Sequence, residues 1–131
     1  MMRAWQVQRA GEPIDVIHAV EVAVAEPGPG QLRIRVTAAG IGLPDVLMCR
    51  GTYPLTPPLP FTPGQEATGI VTAVGEGVGI AIGTRVMCVT MFWMGHGSFA
   101  DECLVAGNKR PGSNIGECNS YINESDPDER H

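Results

Sequence analysis

QLRIRVTAAG, residues 31–40, alternates along its length: Leu32, Ile34, Val36 and Ala38 share one face, and Arg33, Arg35 and Thr37 share the other. A period of two with one apolar and one polar face predicts a strand that has a core on one side and water on the other. Working outward, Pro27-Gly28-Pro29-Gly30 supplies a double turn signal just before it. Just after it, residues 44–50 (PDVLMCR) read as the one helical candidate. Pro44 suits a first helical turn, Val46, Leu47 and Cys49 can turn inward, and Gly51 stops the run. At about two turns such a helix needs packing to exist.

The remaining segments are short and rich in turn residues, with 17 glycines and 11 prolines in 131 residues. Residues 3–8, 18–25, 66–74, 85–90 and 98–105 read as further strands. Between them, YPLTPPLPFTP (residues 53–63) carries too many prolines for a central strand and is expected to be a surface loop or lid. Many short strands and almost no helix predict a mainly β domain, a barrel or barrel-like sheet. Residues 1–106 are expected to form this domain. Residues 107–131 hold eight charges and few aliphatic side chains, so a disordered tail is expected there.

Composition narrows the function. Net charge is −5, from 14 acidic and nine basic residues, which argues against a nucleic-acid surface. No stretch has the length or apolarity of a membrane span, and the N-terminus lacks a secretory pattern, so a cytoplasmic protein without a membrane partner is expected. The four cysteines, Cys49, Cys88, Cys103 and Cys118, form no CxxC pair and are expected to be free thiols. His96 lies between two glycines and reads as a turn residue.

Taken in order, PGPGQLRIRVTAAGIGLPDVLMCRGTYP, LPFTPGQEATGIVTAVGEGV, GTRVMCV and GSFADECLVA resemble the first domain of the medium-chain dehydrogenase/reductase superfamily. The branch they are most similar to is the zinc-free NADPH:quinone oxidoreductases. The resemblance covers residues 2–106 and implies a GroES-like, partly open β-barrel with one short helix. It also implies NADPH as hydride donor and a small quinone or enone as acceptor.

In the zinc-dependent branch a Cys after Gly-Ile and the His of Gly-His-Glu hold the metal. Gly42 and Gln65 stand at those places here, and neither glycine nor a neutral amide is a good zinc ligand, so no zinc is expected. Glu66 is expected to be a partly buried carboxylate at a strand end. By the same resemblance Tyr53 and Asp45 are the candidate catalytic residues, and Tyr53, Arg50, Gly42 and Gln65 the candidate substrate contacts. The zinc-free branch commonly has Asn where Gly42 stands, so one polar group of the cleft is missing.

A dinucleotide fingerprint is also missing. The pairs Gly28/Gly30, Gly75/Gly77 and Gly77/Gly79 lack the third small residue, having Arg33, Ile80 and Ile82 there. Gly95/Gly97 with Ala100 precedes a strand instead of a helix. The sequence therefore predicts a domain without its Rossmann partner, from a truncated gene. Exposed sheet edges and an apolar wall at Met91, Phe92, Trp93 and Met94 are expected to favour association. Two readings follow: the acceptor-side domain of an oxidoreductase, or a non-catalytic GroES-like module.

Overall fold

Strand β3 (Gln31–Ala39) organises the sheet because both of its edges are paired: antiparallel to β4 (Glu66–Val74) on one side and antiparallel to β6 (Glu102–Ala106) on the other. The computed structural model describes residues 1–107 and the backbone of residues 118–121. Strand β5 (Arg85–Val89) continues the sheet beyond β4, and β7 (Cys118–Tyr121) beyond β5, giving the order β6-β3-β4-β5-β7. A separate hairpin joins β1 (Met2–Val7) to β2 (Ile17–Val22). After β5 the chain curls back, and Met91 N–H donates to the carbonyl of Leu104 at 2.8 Å. The sheet thus approaches closure at one point without a continuous closing ladder, as a partly open barrel would.

The alternation of β3 is realised for Leu32 and Ile34, both fully buried, with Ala67, Val71, Val86, Cys88, Cys103 and Val105 around them. It fails at Ala38, which is exposed. A register shift between Val36 and Ala38 bulges the strand and re-aims every side chain beyond it.

A second cluster lies under the helix α2 (Leu43–Arg50): Val7, Val16, Met48, Cys49, Phe61 and Phe92 are buried there. Gly51 ends α2 in the left-handed region at φ 77°, and its N–H reaches back to Met48.

Several elements differ from the expectations. A one-turn helix, α1 (Pro13–Val16), precedes β2 and buries Val16, so the described residues hold two short helices plus a 3₁₀ turn (Phe92–Met94). Strand β2 stops at Val22 because its partner β1 runs out at Met2. Strand β6 starts only at Glu102. Ahead of it, Ser98 and Phe99 donate instead to Gly64 and Pro63, and Phe99 accepts from Trp5. The expected apolar wall is turned inward at Met91 and Phe92, leaving Met94 as its exposed member at 60%. Cys49 and Cys103 are buried free thiols, whereas Cys88 is disulfide-bonded, which corrects the expectation of four free thiols.

Of residues 107–131, Gly107 is buried and Cys118–Tyr121 form a strand. The expectation of disorder otherwise lies outside the described residues. Among the described residues, no helix is long and apolar enough to cross a membrane.

Because Ile34 is fully buried on a strand paired at both edges, Ile34→Ala should lower unfolding free energy by about 2–5 kcal/mol. The exposed Thr37→Ala on the same strand should cost far less. Urea denaturation midpoints at constant slope measure the difference.

Candidate functional site

Asp45 sits one turn into α2, where the sequence places a carboxylate against the N-terminal end of a helix. Its Oδ2 accepts the N–H of Gly42 at 2.9 Å, and its Oδ1 accepts the N–H of Gly64 at 3.0 Å. The first bond is half of a capping box; glycine has no side chain to supply the other half. The second crosses to the turn PGQE, and the residue is left only 5% exposed. Burial raises the Asp45 pKa against the opposing effect of backbone N–H groups from Gly42, Gly64 and Gln65, with Glu66 adding a smaller raising repulsion.

The turn itself is held from the far side. The Gly64 carbonyl accepts the Thr90 hydroxyl at 2.5 Å and the Ser98 N–H at 3.0 Å, and the Gln65 carbonyl accepts the Thr90 N–H at 2.8 Å. Gly64 is at φ 108°, and a Cβ there would collide with the Ser98 hydroxyl and lie 2.6 Å from the Ser98 nitrogen. Only glycine fits. Helix α2, the turn and the end of β5 are therefore one bonded unit.

The five predicted site residues divide across this unit. Gly42, Asp45 and Gln65 are brought together. The Gln65 amide is directed at the Met48 sulfur, 3.9 Å away, so it faces the cluster under α2. Tyr53 packs on that same cluster, with its ring 6.3 Å from Phe92, whose ring in turn meets Trp93 edge-on at 5.3 Å. The Tyr53 carbonyl accepts both the N–H and the hydroxyl of Thr56, which shapes the turn beyond it.

Arg50 lies at the opposite end of α2, where its Nε and Nη2 reach the two carboxylate oxygens of Glu12 at 2.9 and 3.0 Å. The expectation of a partly buried Glu66 is corrected: it is exposed, with its carboxylate against Gly40, so that a Cβ at Gly40 would strike it.

Sequence reasoning missed a cavity of about 640 Å³ bordered by Ala39 and Ile41, immediately before Gly42, together with Trp5, Ile17 and Phe99. Its one sequence signal is Trp5, a large aromatic that the strand leaves 52% exposed. His96, expected in a turn, follows the turn at Gly95 and bridges Thr62 and Met91; it is half-buried on the wall of a smaller cavity, and its burial lowers its pKa.

Gly42 offers no donor atom, Gln65 faces sulfur, and among the described residues no group of three His, Cys, Asp or Glu side chains could hold a metal. Every ladder between named strands among the described residues is antiparallel, and their one parallel contact is an isolated bridge between Thr62 and His96, so they contain no parallel βαβ unit to cradle a pyrophosphate.

An antiparallel sheet curled back on itself, with a short helix clamped to a Pro-Gly turn, defines the GroES-like class of domain. The family description "Alcohol dehydrogenase GroES-like domain" matches residues 28–123, and the chain belongs to that family. Within it the domain is of the quinone oxidoreductase-like kind found in the medium-chain dehydrogenase/reductase superfamily.

Quinone oxidoreductase of Rattus norvegicus is 36% identical over 101 residues, covering 76% of this chain and 31% of that protein. The synaptic vesicle membrane protein VAT-1 homolog of Mus musculus is 55% identical over 62 residues, 47% of this chain and 15% of that protein. A mycobacterial protein solved in complex with NADPH superposes with a TM-score of 0.69 at 31% identity, covering 82% of this chain and 32% of that one. The chain thus spans less than a third of the two curated relatives.

With a raised Asp45 pKa, the folded protein holds this proton more tightly than the unfolded chain. The resulting stability is complete below the ordinary value of 3.8 and fades as pH rises through the raised value. Asp45→Asn loses one of the two acceptor bonds, at about 1–3 kcal/mol, and removes that titration. Its penalty should be larger at about pH 3.5 than at about pH 7 in urea titrations. Equal penalties would show that Asp45 titrates alike in both states.

Proposed function

We propose that this chain is the acceptor-side domain of an NAD(P)H-dependent oxidoreductase acting on a quinone or an enone. The observation that carries the reading is the pair of half-buried rings Tyr53 and Trp93, both packed on the buried Phe92 as an aromatic wall beside the clamped α2 unit, in a domain of this family. A planar conjugated acceptor packs well on such a wall, and the Tyr53 phenol is a hydrogen-bond donor suited to an acceptor oxygen.

Gly42 leaves room where a larger side chain would narrow the cleft, and Gln65, whose amide is turned onto the Met48 sulfur, is a neutral polar residue of the same unit. Arg50 belongs to the rim, its guanidinium committed to Glu12. Asp45 acts as a positioning residue, since both its oxygens are engaged by backbone N–H groups. NADPH would supply the hydride. The described residues offer it no pyrophosphate cradle, so in this reading the donor is held by residues other than these.

Duroquinone does not alkylate thiols and can be titrated while Trp93 emission is followed in a Trp5→Phe background. Saturable quenching is expected, weakened about fivefold by Tyr53→Phe, for one lost hydrogen bond, and tenfold or more by Tyr53→Ala. Quenching that does not saturate, or that Tyr53→Ala leaves unchanged, refutes the assignment of the acceptor site. NADPH absorbance should stay constant when the chain and quinone are mixed with it. Steady turnover would refute the placement of the donor elsewhere.

A further inference from the structure

The outer face of the five-stranded sheet carries a constellation that the acceptor site does not use. Register sets Arg35 of β3 opposite Ile70 of β4, and Ile70 opposite Arg85 of β5. Directly paired residues of antiparallel strands project to the same face. The two arginine stems therefore flank Ile70 in one row, two strand spacings or roughly 10 Å apart. Between them lies a hollow of about 450 Å³, completed by Thr37, Thr68, Gly69 and Val86. The Thr37 hydroxyl lies 3.1 Å from the Thr68 carbonyl and 3.2 Å from the Thr68 hydroxyl, which makes a fixed polar edge.

The charges around this hollow are distributed unevenly. Arg33, two residues before Arg35, is fully engaged by Glu26, Glu102, the Thr72 hydroxyl and the Ala25 carbonyl. Glu102 stands opposite Arg35 in register, but its carboxylate is turned onto Thr72 at 2.8 Å and Arg33 at 3.5 Å. Arg35 and Arg85 are both exposed, and among the described residues neither guanidinium has a hydrogen bond or an ion pair. In a chain with 14 acidic residues against nine basic ones, two cations without an ion pair among the described residues flank one apolar floor.

We propose that this hollow binds the phosphoryl group of a small phosphorylated ligand, with its oxygens above Ile70 and one guanidinium fork on either side. Guanidinium matches phosphoryl oxygens in a planar, two-pronged geometry. An anion there also relieves the repulsion between the two arginines. The ligand is small because the negative net charge repels an extended polyanion.

Isothermal titration of the full chain with inorganic pyrophosphate at low ionic strength tests the site, with sodium chloride matched for ionic strength as comparison. Saturable binding is expected that matched chloride does not reproduce. Arg35→Gln and Arg85→Gln should each weaken it tenfold or more, and Arg3→Gln, an exposed arginine elsewhere on the chain, should leave it unchanged. Arg35→Lys and Arg85→Lys keep the charge and the aliphatic stem, so partial binding should survive in them even if a glutamine variant folds poorly. Absence of saturable heat, full competition by matched chloride, or glutamine variants that fold and bind like the parent chain would overturn the proposal.

Discussion

One carboxylate joins the parts of this domain that local forces would leave apart. Asp45 reaches from the first turn of α2 to the N–H of Gly64 on a turn 19 residues away, while still capping its own helix at Gly42. Taking a charge out of water costs several kcal/mol unless hydrogen bonds replace the lost hydration. Backbone N–H groups aimed at its two oxygens offset part of that cost here, and the raised Asp45 pKa reflects the part that burial leaves over. Each partner is thereby constrained: a helix of two turns gains a fixed address, and the Pro-Gly turn gains a fixed height above it. Thr90 and Ser98 grip the same turn from the other side. The sheet, the helix and the loop after β5 consequently meet at one residue, Gly64, whose backbone leaves no room for a side chain.

That clamp also explains why the aromatic side chains sit together. Tyr53 follows the end of α2, and Phe92 and Trp93 follow the end of β5. These two ends are far apart in sequence, and it is the Asp45–Gly64–Thr90 chain of bonds that brings them together. The other side of the sheet is independent of it. There the β3–β4–β5 register alone sets the row Arg35, Ile70, Arg85.

Much of the fold was legible because its signals are local. The alternation of residues 31–36 and the proline and glycine that bracket α2 each act over a few residues, whereas the proline-rich run expected to be a surface loop is buried at its end, where Phe61 exchanges two backbone hydrogen bonds with Val7. The readings that failed depended on distant partners. Ala38 lost its buried face to a bulge. Met91 and Phe92 turned inward because the chain after β5 bonds back to Leu104. The α1 turn is too short to carry a periodic signal.

The site was legible to a lesser degree. The family resemblance singled out Gly42, Asp45, Tyr53 and Gln65 as candidates, and the structure brings Gly42, Asp45 and Gln65 together while Tyr53 packs on the cluster under α2. That Arg50 is occupied by Glu12, and Asp45 by two backbone groups, involves contacts across 38 and 19 residues.

By itself, then, the sequence determined that the domain is mainly strand, where β3, β4 and α2 lie, and that the net charge is negative, since each follows from nearest neighbours or from composition. Tertiary structure decided which carboxylate is buried, which arginines are paired, and which rings touch. Those outcomes depend on strand register and on the φ angle of a single glycine, and one step in either would hand every such contact to a different residue.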